Sequence, residues 1–320
     1  MKAMILAAGL GTRLRPVTDK IAKPAVPFFG RPILLRTLDL LAEIGVTEAI
    51  VNSHYRPDDV ARLLAKSPIP ATLSHEPEIL GTGGGLARVR EKFRGEEAFL
   101  LINGDVIFEL PLGEAFVAHR ASEALGTLLL LRNPDPSRYG IIVAPEGFHS
   151  GCAGDPLRRV DRILPPAASG EGFLYAGAAI FSGSVLDRLP EGRSELVPAL
   201  LGPLSSEGAL AGYLSDGIWY ELGTPGDLLQ AHLDLLRRML AGRMDSLPLA
   251  RRIVGNPMRF DRELRSAIHP TARIDGLVDE IIADEGCVVG EAVELRRSLL
   301  LPGARVGGDT TLADRVITRE

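Results

Sequence analysis

From residue 1 to about 240, short apolar runs alternate with amphipathic stretches, the pattern of βαβ units that build a mostly parallel sheet covered by helices. Runs at 3–6, 49–51, 71–73, 99–102 and 127–131 predict strands. Over 32–43, Ile33, Leu34, Leu38 and Leu41 share one helical face behind a proline suited to a first turn. Stretches 58–66 and 85–93 read the same way, and a last long helix is predicted over 225–241. Gly- and Pro-rich segments at 134–136 and 164–170 punctuate these elements as surface loops.

After Met244 the pattern changes. A stretch containing Pro248 and Pro257 precedes apolar residues six apart: Ile268 with Ile274, Ile282 with Val288, Val289 with Leu295 and Leu301, Leu300 with Val306 and Leu312. A six-residue step with small residues between predicts a parallel β-helix, each strand stacked on the turn below. An irregular tail is the plainer alternative. The expected domains are 1–243, a linker at 244–265 and the short β-helix at 266–320, whose open last rung favours a homo-oligomer.

Bulk properties narrow the partners. At 320 residues and 46% hydrophobic the chain can bury a large core in about two domains. A net charge of -5 with 24% charged residues offers no basic field for nucleic acid or an anionic membrane, so small molecules are the expected partners. Cys152 and Cys287 fit no metal pattern and point to a reducing compartment. The N-terminal apolar run is too short to span a membrane and ends in glycines, which gives the expectation of a cytoplasmic chain with no targeting segment.

The most informative segment is 6–16, LAAGLGTRLRP, an apolar run entering a glycine loop and then basic residues. Glycines let the backbone turn N–H groups toward an anion, and Arg13 and Arg15 supply charge-assisted donors. Leu6, Ala8, Gly9, Gly11 and Thr12 are the expected nucleotide contacts, with Lys23 adding a point charge. The spacing is neither the Walker pattern nor the full dinucleotide fingerprint, so a plain structural turn stays open for this loop alone. Asp105 follows the apolar run 99–102, at the carboxyl end where open α/β sheets hold ligands. Mg²⁺ takes one or two carboxylates plus phosphate oxygens, and Glu221 is the candidate second ligand; a turn residue and a surface acid are the bland readings. The scattered His54, His75, His119, His149, His232 and His269 form no nucleophilic constellation.

AAGLGTRLRP followed by KPAVPFFGRPIL resembles the signature of the nucleotidyltransferase family that makes nucleoside-diphosphate sugars. LGTGG at 80–84, NGD at 103–105, YG at 139–140, AG at 176–177 and WYELGTP at 219–225 follow in the family's order, so the resemblance covers residues 1 to about 240. The tail is similar to the left-handed β-helix appended to many members, mannose-1-phosphate guanylyltransferases especially. The resemblance implies a Rossmann-like α/β catalytic domain and a Mg²⁺-dependent condensation of a nucleoside triphosphate with a sugar 1-phosphate. It assigns phosphate binding to Arg13 and Lys23, metal binding to Asp105, and base and ribose to Gly81, Thr82 and Gly83, whose N–H groups are expected to face the ligand. Glu76 is expected either to read a guanine edge or to be solvated.

The sugar side departs from the family pattern: the lysine of its Glu-Lys-Pro element is missing from 160–165, where Arg162 is the expected substitute. Tyr175 stands where an asparagine often precedes Ala-Gly, and with Gly140 and Gly177 completes the sugar-phosphate set as an aromatic wall. Glu221 replaces the family's aspartate. GTP with mannose 1-phosphate leads. Uridylyl- or thymidylyltransfer to another sugar phosphate, a non-catalytic regulatory subunit, a cytidylyltransferase for a non-sugar phosphate and an NAD-dependent oxidoreductase remain as alternatives.

Overall fold

The computed structural model describes residues 1–144, 157–168, 170–242, 248–254 and 258–319. His149, Cys152, Pro257 and the boundary expected at 243–244 lie outside the described residues. Two compact units emerge, and they interleave along the chain. One holds Met1–Leu10, Thr37–Val106 and Leu110–Trp219; the other holds Gly11–Arg36, Ile107–Glu109 and Tyr220–Glu320.

In the first unit a mixed sheet runs in the order Leu157–Arg159, Leu210–Leu214, Gly126–Arg132, Phe173–Ser182, Ala98–Asn103, Lys2–Leu6, Glu48–Ser53, Ala71–His75. All five strands expected from apolar runs are present. Lys2–Leu6 lies parallel to both Glu48–Ser53 and Ala98–Asn103, and Ala71–His75 continues that parallel half. Phe173–Ser182 enters antiparallel between Ala98–Asn103 and Gly126–Arg132. The central strands are apolar runs because both faces are covered: Met4, Ile50, Phe99, Leu101, Leu128 and Phe181 are fully buried. The helix Ile33–Glu43 carries the expected stripe, with Ile33, Leu34, Leu38 and Leu41 all at 0% exposure. The helix expected over 85–93 instead starts at Gly81 and ends at Arg88, with a 3₁₀ turn at Arg90–Phe93.

In the second unit the tail forms the expected parallel β-helix. The six-residue step moves between sides of one coil, however, and the stacked partner lies a full coil away. Ile274 pairs with Val289 fifteen residues on, and Val289 with Val306 seventeen on. Arg265, Glu280, Arg297 and Asp314 turn equivalent corners in left-handed backbone, with φ of 48°, 51°, 43° and 55°. Buried Ser266 behind the first corner accepts from the N–H of Ile281 at 3.0 Å. Charges alternate along the column, and Arg297 donates through Nε and Nη2 to the two carboxylate oxygens of Asp314. The helix Pro225–Leu240, opened by a Thr224–Asp227 capping box, packs on these coils, and its Arg237 donates twice to Glu280 at 2.9 Å. The expected linker contains a helix, Pro248–Val254, and a strand, Arg259–Asp261, which adds antiparallel to the first rung. These contacts hold the long helix against the coils within the second unit.

Candidate active site

Strand Lys2–Leu6 ends at the glycine loop. Ala7 and Ala8 are buried at its root, while Gly9 and Leu10 are exposed. A Cβ added at Gly9 would meet nothing within 4 Å. Among the described residues, no protein acceptor engages the N–H groups of Gly9, Leu10 or Gly11. Gly11 sits at φ 67°, a conformation glycine adopts without strain. Its carbonyl accepts from the Thr18 hydroxyl at 2.7 Å and from the Leu14 N–H at 3.0 Å, which fixes the turn Thr12–Leu14. An added Cβ there would lie 3.4 Å from Lys23 Cβ, so the turn brings Gly11 and half-buried Lys23 together.

Arg13 projects outward at 61% side-chain exposure and donates to Glu221 Oε1 at 3.5 Å. Glu221, the last residue of strand Ile218–Glu221, is thus an ion-pair partner of the phosphate-loop arginine. The sequence reading gave it only a metal role.

Asp105 follows strand Ala98–Asn103 in a tight turn and is half-buried. Gly104 donates to Leu6 O at 2.8 Å, and an added Cβ would stand 2.7 Å from that oxygen, so the turn rests directly on the root of the phosphate loop. Gly177, at φ 75°, packs on Asn103, whose amide nitrogen lies 2.9 Å from an added Cβ. Leu6–Ala8, Asn103–Asp105 and Ala176–Gly177 therefore converge.

The second glycine segment behaves differently from expectation. Gly83 and Gly84 donate to Ser194 O at 2.9 and 3.1 Å, and the Thr82 N–H and hydroxyl donate to Glu195 Oε2 at 3.3 and 2.9 Å. Of the donors expected to face a base, those of Thr82 and Gly83 are thus taken by the protein, as the first turn of a helix demands. The glycines are required by crowding: an added Cβ would lie 2.5 Å from Ser194 O at Gly81, 2.8 Å from Ser194 Oγ at Gly83 and 2.3 Å from Gly192 O at Gly84.

Glu76 also departs from both expectations. It is fully buried, with Oε1 accepting from Asn52 Nδ2 at 2.7 Å and Oε2 from the Leu80 N–H at 3.0 Å. It is neither solvated nor an open edge.

On the sugar side, Trp219 Nε1 donates to Ala176 O at 2.9 Å, and its ring meets Tyr139 edge-on at 5.5 Å. The Gly140 carbonyl accepts a hydrogen bond from Asn133 Nδ2 at 3.2 Å, and a Cβ added at Gly140 would touch Leu164 O at 3.0 Å. Exposed Arg162 stands opposite Val143 on the strand beside it. The Tyr175 ring packs against the sheet core; its hydroxyl is buried with no hydrogen-bond partner among the described residues, and desolvation holds its pKa above the usual range. Sequence reasoning missed Thr18, Asn52, Ser194 and Glu195, which carry no motif; Thr18, Asn52 and Glu195 act through side-chain atoms and Ser194 through its carbonyl. Cys287 lies in the β-helix core, where burial pushes its thiol up to about 11, as befits filler. No helix among the described residues is long and apolar enough to cross a membrane.

An open glycine loop at the carboxyl end of a parallel strand, resting on the turn that carries an aspartate at the end of the neighbouring strand, places this chain in the class of α/β proteins that hold ligands at the carboxyl ends of their strands. The chain belongs to the Nucleotidyl transferase family, whose match spans residues 2–238. It is similar to probable mannose-1-phosphate guanylyltransferase 3 of Oryza sativa subsp. japonica, 31% identical over 329 residues, 99% of this chain and 86% of that protein. Mannose-1-phosphate guanyltransferase beta-A of Xenopus laevis is 30% identical over 86% of this chain and 73% of its own length. Among solved structures, HddC from Yersinia pseudotuberculosis matches with a TM-score of 0.60 and 25% identity over 73% of this chain and 99% of that one. A putative glucose-1-phosphate thymidylyltransferase from Bacillus anthracis, 21% identical with a TM-score of 0.62 over 72% of this chain and 94% of that one, shares the fold. The expected membership of the sugar-phosphate nucleotidylyltransferases is borne out.

Proposed function

We propose that the chain condenses GTP with mannose 1-phosphate, forming GDP-mannose and releasing pyrophosphate. The observation that carries this reading is similarity over nearly the whole chain, β-helix included, to proteins named as mannose-1-phosphate guanylyltransferases. A phosphate oxygen of the sugar attacks the α-phosphorus, the bond to the β-phosphate oxygen breaks, and pyrophosphate leaves with that electron pair. Both reactants are anionic, so the residues act by positioning and charge compensation, without a side-chain nucleophile. The open N–H groups of Gly9, Leu10 and Gly11 suit the triphosphate, with Arg13 and Lys23 offsetting its charge. Gly140, Arg162 and Gly177 hold the sugar phosphate in this reading, whereas Tyr175, expected as an aromatic wall, packs into the sheet core behind them; Gly81–Gly83 form a wall for the base.

No group of three or more potential ligands occurs among the described residues. Mg²⁺ takes one or two carboxylates and completes its shell with phosphate oxygens and water. Asp105 would hold it, with Glu221 as second candidate, and the bound ion would supply neutralisation of phosphate charge. A reducing cytoplasm, supported by the free buried thiol of Cys287, and a homo-oligomer complete the reading.

The test is pyrophosphate release with Mg²⁺ over a grid of GTP, UTP, dTTP, ATP and CTP against mannose, glucose and N-acetylmuramic acid 1-phosphates. Release confined to GTP and mannose 1-phosphate supports the proposal, and activity in another cell replaces the substrates. Silence throughout, with nucleotide still bound, indicates a regulatory subunit. Asp105→Asn is expected to cut turnover by roughly 100-fold or more with the melting temperature nearly unchanged, since it removes charge and little volume. Near-normal rates would refute the metal assignment.

A further inference from the structure

Four groups form one directional hydrogen-bond relay in the first unit. The Ala7 N–H, at the root of the phosphate loop, donates to Asn52 Oδ1 at 2.6 Å. Asn52 Nδ2 donates to Glu76 Oε1 at 2.7 Å, and the Leu80 N–H, at the start of the glycine helix, donates to Glu76 Oε2 at 3.0 Å. Asn52 is 3% exposed and Glu76 0%, so water does not substitute for any member. Space is also closed: an added Cβ at Gly85 would stand 2.7 Å from Asn52 Nδ2 and 2.8 Å from Glu76 Oε1.

The polarity of this relay is forced. Both ends are backbone N–H groups, which only donate. The Ala7 N–H fixes the Asn52 oxygen toward the loop and therefore its NH₂ toward Glu76. Glu76 then receives two donors and must be a double acceptor, which a carboxylate is and an amide is not. In Glu76→Gln, either the new NH₂ faces the Leu80 N–H, or both amides flip and the Asn52 NH₂ faces the Ala7 N–H. One buried donor–donor contact results in every arrangement.

We infer that Glu76 is a positioning residue that, through Asn52, sets the phosphate-loop root and the start of the glycine helix in one fixed relation, so that the loop is preorganised for the triphosphate. This rests on the nucleotidyltransferase reading above and replaces base recognition by Glu76 with a role exerted through the loop.

The relay makes a test that an ordinary packing role would fail. Glu76→Gln and Asn52→Asp each break the donor–acceptor order, but together they restore it. The carboxylate introduced at position 52 accepts from the Ala7 N–H and from the amide NH₂ introduced at position 76, and the oxygen of that amide accepts from the Leu80 N–H. Wild type, both single variants and the double variant are compared by melting, by pyrophosphate release and by calorimetric GTP binding. Each single change is expected to raise the KM for GTP by about tenfold, with the KM for the sugar phosphate unmoved and kcat within about threefold. The double variant is expected to return to within about threefold of wild type. A folded double variant as weak as Glu76→Gln would overturn the relay. So would a Glu76→Gln variant that exchanges GTP preference for another base while Asn52→Asp stays neutral, since that is the behaviour of a base reader. If wild type releases no pyrophosphate from any pair, the activity reading fails separately, and GTP binding in the same four proteins still decides the relay.

Discussion

The two glycine segments, 9–11 and 81–85, look alike in sequence and serve opposite ends. At Gly9 an added Cβ meets nothing and the neighbouring N–H groups have no protein acceptor among the described residues, so the backbone is open to approach from outside the chain. At Gly81, Gly83 and Gly84 the missing side chains make room for the segment Gly192–Glu195, whose Ser194 carbonyl also accepts from the Gly83 and Gly84 N–H groups. Glycine density signals close approach to the backbone, and only the fold says whether the approaching group is a ligand or another part of the chain.

The contrast breaks most sharply in a pair of alanine substitutions. Gly84→Ala drives a Cβ to 2.3 Å from Gly192 O and is expected to destabilise the fold by about 2–3 kcal/mol, seen as a lower melting temperature. Gly9→Ala is expected to change stability by less than about 0.5 kcal/mol, yet to raise the KM for GTP by roughly tenfold. An unaltered KM would show that the triphosphate does not approach the loop there. Arg13→Ala comes next. Loss of a charge-assisted donor is expected to lower kcat/KM for GTP by roughly 30-fold, with Arg13→Lys intermediate because it keeps charge but not the fork.

The open loop was legible because its chemistry lies in consecutive residues: strand, glycines, Arg13 and Lys23 are local. The parallel half of the sheet was equally legible, since strands buried on both faces are unbroken apolar runs. The glycine helix was misread because its partners, Ser194 and Glu195, lie more than a hundred positions away and act through a carbonyl and one carboxylate. Glu76 was misread for the same reason, as nothing local marks Asn52 as its partner. The six-residue step of the tail was found, but coil length depends on corners set by left-handed residues such as Glu280 and Arg297, which carry no sequence signature.

Acid should weaken the segment that follows the open loop. His232 is fully buried; its Nδ1–H donates to Leu228 O at 2.7 Å and its Nε2 accepts from the Phe29 N–H at 3.2 Å, six residues past Lys23. Burial lowers its pKa to about 3 and that of His119 to about 4. Both are neutral when folded and protonate near 6.5 when unfolded, so their contribution is complete above pH 6.5 and shrinks as pH falls toward 4. Each is expected to cost about 1.4 kcal/mol per pH unit over that window. Melting temperature measured from about pH 7.5 to 5 reads the slope. His232→Gln, which keeps an acceptor for Phe29 but does not titrate, is expected to remove about half of it; an unchanged slope would place the acid sensitivity elsewhere.

Glu195→Gln carries the smallest expected effect and probes the comparison from its weaker side. The pair with Thr82 is exposed, so losing the carboxylate charge should cost less than about 0.5 kcal/mol. Gly83 and Gly84 keep their acceptor, because Ser194 contributes a backbone carbonyl that the substitution leaves in place. If the glycine helix is held by the chain itself, the KM for GTP stays within about twofold of wild type. A large rise with no change in melting would mean that Thr82 and its neighbours face the nucleotide during turnover, and that the second glycine segment opens as the first does.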